Sequence, residues 1–147
     1  MTGRIQNGFT LVELLSIVLI MAILMGITIP VMRSAYSRAK VAKAKSDIAK
    51  LETAAEQYKN DYGSYPDSSD SKNLFRAASS ISPVTKKPYI IFKSKDIKNE
   101  QLIDSWGTPY AYTTPGTQNT NSVDIYSFGP NKADDAGTGD DINNWSR

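Results

Sequence analysis

The residues of this sequence that could bind a metal ion or transfer a proton lie near its C-terminus. Four aspartates, Asp134, Asp135, Asp140 and Asp141, fall within eight residues, with glycines between them. Such a group repels itself unless something positive lies among the carboxylates. Oxygen ligands on a glycine-containing loop suit Ca²⁺, which accepts about six to eight oxygens, backbone carbonyls included. The spacing is not that of an EF-hand, so composition leaves two interpretations open, a solvated acidic loop and a calcium site.

A catalytic interpretation of the same residues is a third alternative, in which Asp140 and Asp141, or Asp134 and Asp135, form the acid–base pair of a membrane-anchored enzyme. The sequence contains no histidine and no cysteine. It therefore lacks the commonest general base and the commonest transition-metal ligand, which excludes zinc hydrolases and Ser/His or Cys/His catalysis. The sequence indicates no second partner or substrate cleft beside the carboxylates, and we expect a protein that is not an enzyme.

A fifth carboxylate, Glu13, is the one full charge in an apolar run of 21 residues, 9–29. As a helix this run is about 31 Å long, which matches the hydrocarbon thickness of about 30 Å and predicts a transmembrane helix. A carboxylate inside such a helix costs roughly 2.5–3.5 kcal/mol on insertion scales, so a plain anchor would not be expected to carry it. Cleavage before Phe9 would create an amine nearby, and Glu13 could neutralise that amine on a neighbouring copy.

The element that carries Glu13 is predicted to continue beyond the membrane. Residues 31–62 contain no glycine or proline, and apolar residues step by three and four from Val41 to Tyr62. This pattern predicts a helix that ends at Gly63 and packs one stripe against a core. Together with the apolar run it makes one helix of about 53 residues.

The elements that would position the aspartates are short strands. Residues 67–72 are predicted to form a loop, residues 104–107 a tight turn and residues 114–121 a hairpin loop. A short helix is predicted over residues 73–80, and strands over 89–92, 109–113 and 122–128. We expect Ile142 and Trp145 to pack the tail back onto this sheet. The predicted fold class is therefore α+β, with a long N-terminal helix packed on a small antiparallel sheet.

The charges do not indicate a nucleic-acid partner, because the net charge is only +2 and both signs are mixed. Before the apolar run stands only Arg4, whereas residues 33–50 contain six basic residues and one acid. By the positive-inside rule this distribution alone would place the C-terminal part in the cytoplasm. A further group of lysines is interpreted as a solvated face, or as a contact for an acidic neighbour in an assembly; it comprises residues 86, 87, 93, 95 and 98.

The stretch from Gly8 to Leu15, followed by a long apolar helix, resembles the prepilin-peptidase motif of type IV pilins and pseudopilins. The C-terminal third resembles more narrowly the major pseudopilin of type II secretion. It departs from that family at Ser105, where proline is usual, and at Asn131, where the first aspartate of the loop commonly lies. The matching residues are Asp104, Trp106, Gly107, Pro109, Tyr110 and Tyr112, then Pro115 and Gly116, then residues 124–129.

The resemblance implies a type IV pilin-like fold and three domains. Residues 1–8 would be a leader removed by the prepilin peptidase, which would cut between Gly8 and Phe9 and N-methylate Phe9. Residues 9–30 would be the transmembrane and assembly helix, in which Glu13 recognises the N-terminus of the adjacent subunit. Residues 31–147 would be a periplasmic globular domain that includes the C-terminal half of the long helix.

The resemblance also implies a bound calcium ion, which would stabilise the domain in place of a disulfide. The candidate ligands are Asn131, Asp134, Asp135, Asp140 and Asp141.

The function implied is that of a structural subunit of a type II secretion pseudopilus, which polymerises through its N-terminal helix to drive protein export across the outer membrane. The implied partners are other copies of the chain, minor pseudopilins, an inner-membrane assembly platform and the prepilin peptidase, with no nucleic acid. Before assembly the chain would cross the inner membrane once with its C-terminal domain in the periplasm, and it would then join a periplasmic pseudopilus. This topology conflicts with the charge count. The alternative is a major or minor subunit of a surface type IV pilus, which the aspartate-rich tail and the lack of cysteine disfavour.

Overall fold

The computed structural model describes residues 8–69 and 71–146. The chain forms two compact units, the first ending at Arg38 and the second beginning at Ala39. Residues 1–7 of the predicted leader lie outside the described residues, so the leader and the three domain boundaries stay predictions.

One long helix, α1, spans Leu11–Tyr62 and contains 52 residues. The predicted continuity of the helix is confirmed, since α1 includes the positions of Gly26 and Pro30. The predicted end is also confirmed. Gly63 has a φ of 82° and donates its N–H to the Lys59 carbonyl at 2.7 Å, a helix end that glycine adopts without strain.

In the first unit, α1 exposes its apolar side chains on all sides. Leu11 is 79 % exposed, and other large apolar side chains as far as Met32 are between 43 % and 79 % exposed. Among the described residues, α1 is the helix long and apolar enough to cross a membrane, with a mean hydropathy of 2.7 in its most apolar window. Because each Å² of apolar surface left in water costs about 25 cal/mol, this surface favours lipid or another apolar helix.

In the second unit, α1 supplies one wall of the core. The buried residues Ala44, Ile48, Leu51 and Ala55 recur every three or four positions, which confirms the predicted stripe. The stripe stops earlier than predicted, because Tyr62 is 51 % exposed and its ring stacks on Tyr58 with centroids 4.4 Å apart.

A short helix, α2, follows at Ser71–Ser79. The predicted helix is confirmed, although it begins two residues before the predicted start and so shortens the preceding loop. Its buried residues Leu74, Ala77 and Ala78 pack it onto the core.

The predicted strand over residues 89–92 is wrong, because this segment pairs with no strand. Ile90 donates its N–H to the Ala78 carbonyl at the end of α2, at 2.9 Å, so helix α2 takes the place of a neighbouring strand. A small hairpin follows instead, with β1 at Ile97–Lys98 paired to β2 at Gln101–Leu102. Its two turn residues, Asn99 and Glu100, both have positive φ, as a type I′ turn requires.

The main sheet is antiparallel and has the order β3-β4-β5. β3 spans Ala111–Thr113, β4 spans Asp124–Ser127 and β5 spans Ile142–Asn143. The strands predicted over 109–113 and 122–128 are confirmed with shorter bounds. The third strand comes from the C-terminal tail, where Ile142 pairs with Ser127, and not from residues 89–92. The α+β class is confirmed.

The turn before β3 is held by a buried carboxylate. Asp104 is 5 % exposed, and its Oδ1 accepts the N–H groups of Trp106 and Thr108 at 2.9 Å each. Its Oδ2 accepts the hydroxyl of Ser127 on β4 at 2.6 Å. Gly107, at a φ of 87°, closes the turn on the Asp104 carbonyl, which confirms the predicted tight turn.

We expect Asp104→Ala to destabilise a fragment of residues 39–147 by about 2–4 kcal/mol, because it leaves two partly buried N–H groups and the buried Ser127 hydroxyl without their acceptor. Urea unfolding measures the loss. Asp67→Ala is the matched control, since Asp67 is exposed and accepts the Ser69 N–H within one loop. Equal losses in the two variants would contradict a structural role for the buried turn.

Candidate functional site

The predicted processing site lies immediately before α1. Gly8 and Phe9 are both exposed, and Phe9 is 70 % exposed. A Cβ placed on Gly8 would meet no atom within 4 Å among the described residues. The bond between these residues is therefore outside the hydrogen-bonded helix and open to a protease.

Glu13 forms a capping box with Thr10 at the start of α1. The Thr10 hydroxyl oxygen accepts the Glu13 N–H at 3.2 Å, and Glu13 Oε2 accepts the Thr10 N–H at 3.4 Å. The first N–H groups of a helix have no partner within the helix, so this exchange satisfies two of them. Sequence reasoning missed this role, although Thr-x-x-Glu before an apolar run is its usual signal.

The capping box uses only one of the two carboxylate oxygens of Glu13. Oε2 also accepts the Thr10 hydroxyl, at 3.3 Å, whereas Oε1 accepts no hydrogen bond from any described residue. Glu13 is exposed and has no basic partner in the described part of its own chain. The side chain therefore keeps a free oxygen and an uncompensated charge with which to bind a cation.

The second candidate site is the aspartate loop, which we define as residues 129–141, between β4 and β5. Its backbone turns repeatedly through positive φ, at Gly129, Lys132, Ala136, Gly137 and Gly139. These turns bring together three of the predicted ligands. Carboxylate oxygens of Asp135, Asp140 and Asp141 all lie within 4.8 Å of one another.

Asp141 contributes an oxygen that lacks a partner. Its Oδ2 accepts the N–H groups of Asp135 at 3.1 Å and Gly137 at 2.8 Å. Its Oδ1 is buried and has no hydrogen-bond partner among the described residues. A buried, unsatisfied carboxylate oxygen is costly, and a bound cation would satisfy it.

The electrostatics of the loop also favour a bound cation. Burial raises the pKa of Asp141, the N–H bonds from Gly137 and Asp135 oppose this shift, and repulsion from the carboxylates of Asp135 and Asp134 adds to it. A carboxyl whose pKa is higher in the folded than in the unfolded chain destabilises the fold once it is ionised. At neutral pH the loop is therefore strained by its own charge.

The other two predicted ligands are placed differently. Asn131 lies against the cluster, since its backbone N–H donates to Asp140 Oδ2 and its side-chain amide to Asp135 Oδ2, each at 2.9 Å. Asp134 lies outside the cluster. Its Oδ1 accepts the hydroxyl of Tyr126 at 3.1 Å and the N–H of Ala136 at 2.9 Å.

The cluster fits a hard cation such as Ca²⁺. Oxygens bound to one calcium ion at about 2.3–2.6 Å lie at most about 5 Å from each other, and the three carboxylates meet this limit. The unsatisfied Oδ1 of Asp141 supplies a ligand atom that needs no rearrangement of existing hydrogen bonds.

The residues after β5 connect the aspartate loop to the sheet and to α1. The buried Asn144 accepts the Ile125 N–H at 3.0 Å and donates to the Val123 carbonyl at 2.9 Å and to Glu52 of α1 at 3.0 Å. Asn144 thus extends the sheet with its side chain. No sequence signal identified it, because a buried asparagine has no characteristic spacing.

Trp145 packs the tail against both the sheet and the loop. Its ring meets the edge of the Tyr126 ring with centroids 5.8 Å apart. A Cβ on Gly137 would lie 2.0 Å from Trp145 Cζ2, so the ring and the loop backbone are in close contact. The predicted packing of Ile142 and Trp145 back onto the sheet is confirmed.

Comparison with protein families finds two matches along the chain. The family described as type II secretion system (T2SS), protein G matches residues 31–145. The family described as the prokaryotic N-terminal methylation motif matches residues 3–29. The second match contains Gly8, Phe9 and Glu13.

Similar proteins are known from several bacteria. The type II secretion system core protein G of Pseudomonas aeruginosa is 34 % identical to this chain over 147 residues and is matched over 99 % of both chains. The protein of the same name from Vibrio cholerae is 33 % identical over 144 residues, 97 % of this chain and 94 % of its own. The crystal structure of the major pseudopilin from the type 2 secretion system of enterohaemorrhagic Escherichia coli superposes with a TM-score of 0.52 at 31 % identity, covering 77 % of this chain and 88 % of that one.

We expect Gly137→Ala to destabilise the fragment of residues 39–147 by more than Gly107→Ala. Both glycines have positive φ, 78° and 87°, so both variants carry the cost of about 1–2 kcal/mol for an alanine in this conformation. Only at Gly137 does the new Cβ collide with Trp145, whereas at Gly107 it meets no atom within 4 Å. Urea unfolding followed by tryptophan fluorescence gives both free energies. Equal values would show that the loop and the Trp145 ring are not packed together.

Proposed function

The chain belongs to the type II secretion system protein G family, and from this membership we propose that copies of it polymerise through α1 into a periplasmic pseudopilus that drives folded proteins across the outer membrane. The chain is a pseudopilin with a type IV pilin-like fold, and its role is structural. The match to protein G supports a pseudopilus subunit rather than the alternative, a surface type IV pilus subunit.

The exposed apolar surface of α1 is the observation that carries this proposal. A helix that is apolar on all sides is stable only inside a membrane or a bundle of similar helices. The first unit offers no other apolar element in its described residues, 8–38, to cover this surface. Lipid would cover it before assembly, and the α1 helices of other copies would cover it in the filament.

Glu13 would make this packing specific. We propose that the free Oε1 of Glu13 binds the N-terminal amine of Phe9 on an adjacent copy, after cleavage following Gly8 and N-methylation of Phe9. A buried carboxylate is tolerated in an apolar bundle only when a cation neutralises it. Each copy has one such carboxylate and one such amine, so the pair would set the stagger between neighbouring helices.

The proposed topology is a single inner-membrane span with the second unit in the periplasm. The proposed partners are minor pseudopilins, an inner-membrane assembly platform and the prepilin peptidase. The six basic residues within 33–50 oppose this orientation by the positive-inside rule. Family membership supports it, since a pseudopilus subunit must present its globular domain on the side of the outer membrane.

We further propose that the aspartate loop binds Ca²⁺ through Asp135, Asp140 and Asp141, with Asn131 beside them. Support comes from the short separation of the three carboxylates and from the unsatisfied Oδ1 of Asp141. The ion would supply positive charge among carboxylates that repel one another. It would also hold the middle of the loop against its C-terminal end, which a disulfide cannot do in a chain without cysteine.

We expect Glu13→Ala to be inserted and cleaved but not to polymerise, because the amine of Phe9 has no counter-charge on the neighbouring copy. Sedimentation and electron microscopy of sheared filaments measure the polymer, and the mass of the mature chain reports cleavage.

Glu13→Gln separates the two roles of this residue. Glutamine can still accept the Thr10 N–H in a capping box, so it preserves the start of the helix but removes the charge. We therefore expect it to fail like Glu13→Ala. If the glutamine variant forms as much filament as the parent chain, the charge of Glu13 is not required for assembly and capping is its only role.

We expect chelation of calcium with EDTA to lower the melting temperature of the fragment of residues 39–147. At a free calcium concentration of 100 times the dissociation constant, binding stabilises the fold by about 2.7 kcal/mol. Asp141→Asn should lose this dependence, whereas Asp67→Asn, in an exposed loop outside the cluster, should keep it. A melting temperature that EDTA leaves unchanged would show that the aspartates form only a solvated loop.

A further inference from the structure

A groove runs along α1 in the second unit, between the helix and residues 89–96. One part of it has a volume of about 240 Å³ and the adjoining part about 330 Å³. The two parts share Ser46, Lys50 and Ile90, so they form one continuous groove. We call it the lysine groove.

The rim of the lysine groove is basic. Lys43 and Lys50 lie on the helix side, where Asp47 pairs with both, at 2.7 Å and 3.5 Å. Asp96, the second carboxylate in the lining, pairs with Lys43 at 3.4 Å, so four lysines face two aspartates. Lys93 and Lys95 lie on the opposite side, are exposed, and make no ion pair with any described residue. The groove therefore presents two free ammonium groups to a partner.

The lining of the groove also includes an uncovered apolar side chain, Ile91, which is 85 % exposed. Val84 and Ile81, earlier in the same segment of the chain, are 73 % and 64 % exposed. An exposed apolar residue beside two free lysines has the composition of an interaction surface with a polar rim.

The same chain carries charges of the opposite sign in the aspartate loop. Within residues 129–141 stand four aspartates and one lysine. Asp134 is exposed and lies outside the three-carboxylate cluster, so its carboxylate stays available whether or not the cluster holds a cation. Opposite charge on two patches of one chain favours contact between copies.

One copy does not fill its own groove. The lining of the groove includes no residue of the aspartate loop. The tail that follows the loop is attached to α1 at Glu52, which lies about 100–160° around the helix from Ser46, Lys50 and Thr53. The two patches therefore occupy different sides of the second unit.

We propose that the lysine groove receives the aspartate loop of a second copy of this chain, with Lys93 and Lys95 facing Asp134. The contact joins two different patches, so it is head-to-tail, and in a helical filament it would repeat from copy to copy without closing into a ring. This proposal rests on the proposed function, because such a contact is required of a helical filament. In this arrangement, contacts between globular units hold the filament together in addition to the packing of the α1 helices.

The test is thiol cross-linking of the full-length chain in the membranes of cells that assemble it. The chain has no cysteine, so every cross-link comes from an introduced residue. Lys95→Cys and Asp134→Cys are placed in separate copies and co-expressed, and a disulfide forms only when their Cα atoms lie within about 7 Å. A dimer is expected from the mixture and not from either variant alone. Asn121→Cys, exposed in another loop, replaces Asp134→Cys as the control and should not cross-link.

Charge reversal provides the second readout. Lys93→Glu combined with Lys95→Glu should cause a loss of sedimentable polymer, and adding Asp134→Lys should restore it. Lys98→Glu, an exposed lysine outside the groove, should leave the polymer at the parental level. Melting of each full-length variant in detergent, unchanged from the parent, shows that the loss is one of contact and not of folding.

The outcomes separate this proposal from the proposed function. Filaments that form without the Lys95–Asp134 cross-link, and that tolerate the reversed lysines, overturn the groove contact and leave the pseudopilus subunit in place. A cross-link in membranes where the parent chain forms no filament supports the groove contact and overturns polymerisation. Cross-linking to Asn121→Cys at the same yield overturns the assignment of the occupant.

Discussion

The apolar surface of α1 between Leu11 and Met32 is the constraint on which the rest of this protein depends. It is exposed on every side, and the described part of the first unit has no second element to cover it. A surface of this kind has a large free-energy cost in water, and no substitution in the globular unit could reduce that cost. The chain is therefore an incomplete structure as a monomer. Its stability as a whole depends on lipid or on other copies, which is consistent with its membership of a family of pseudopilus subunits.

Glu13 lies inside that surface and combines an observed role in its own copy with a proposed role between copies. Through Oε2 it completes the capping box with Thr10, which supports the helix start in each copy separately. Its Oε1 and its charge are not used by the described part of the same copy. In the proposed filament, a carboxylate that needs a cation in a low-dielectric environment would give direction and register to helices that could otherwise slide along one another.

Much of the fold follows from local patterns that act within a few residues. The long helix, its end at Gly63, the turn held by Asp104 and the first two strands of the main sheet all have strong local signals, and all are present. Residues 89–92 were mispredicted because Ile90 and Phe92 do pack against the core, as strand residues would. The partner of the Ile90 N–H is a carbonyl at the end of α2, and sequence spacing carries no information about such a distant acceptor. The strand β5 could not be predicted from the sequence for the same reason, because it is two residues long and depends on Ser127 and on Asn144.

The candidate site could likewise be predicted only in part. The sequence identifies the acidic residues of the loop, but convergence of Asp135, Asp140 and Asp141 depends on a series of positive-φ turns, two of them at Lys132 and Ala136. The residue types at those two positions do not predict a positive φ. Asp134, which the sequence groups with the others, is drawn away by the hydroxyl of Tyr126.

Electron cryo-microscopy of the assembled filament would show directly how the α1 helices pack. We expect a filament whose core is a bundle of α1 helices, with the amine of Phe9 in ion-pair contact with Glu13 of an adjacent copy. A filament with α1 on its outer surface, or one in which Glu13 faces no amine, would contradict this expectation.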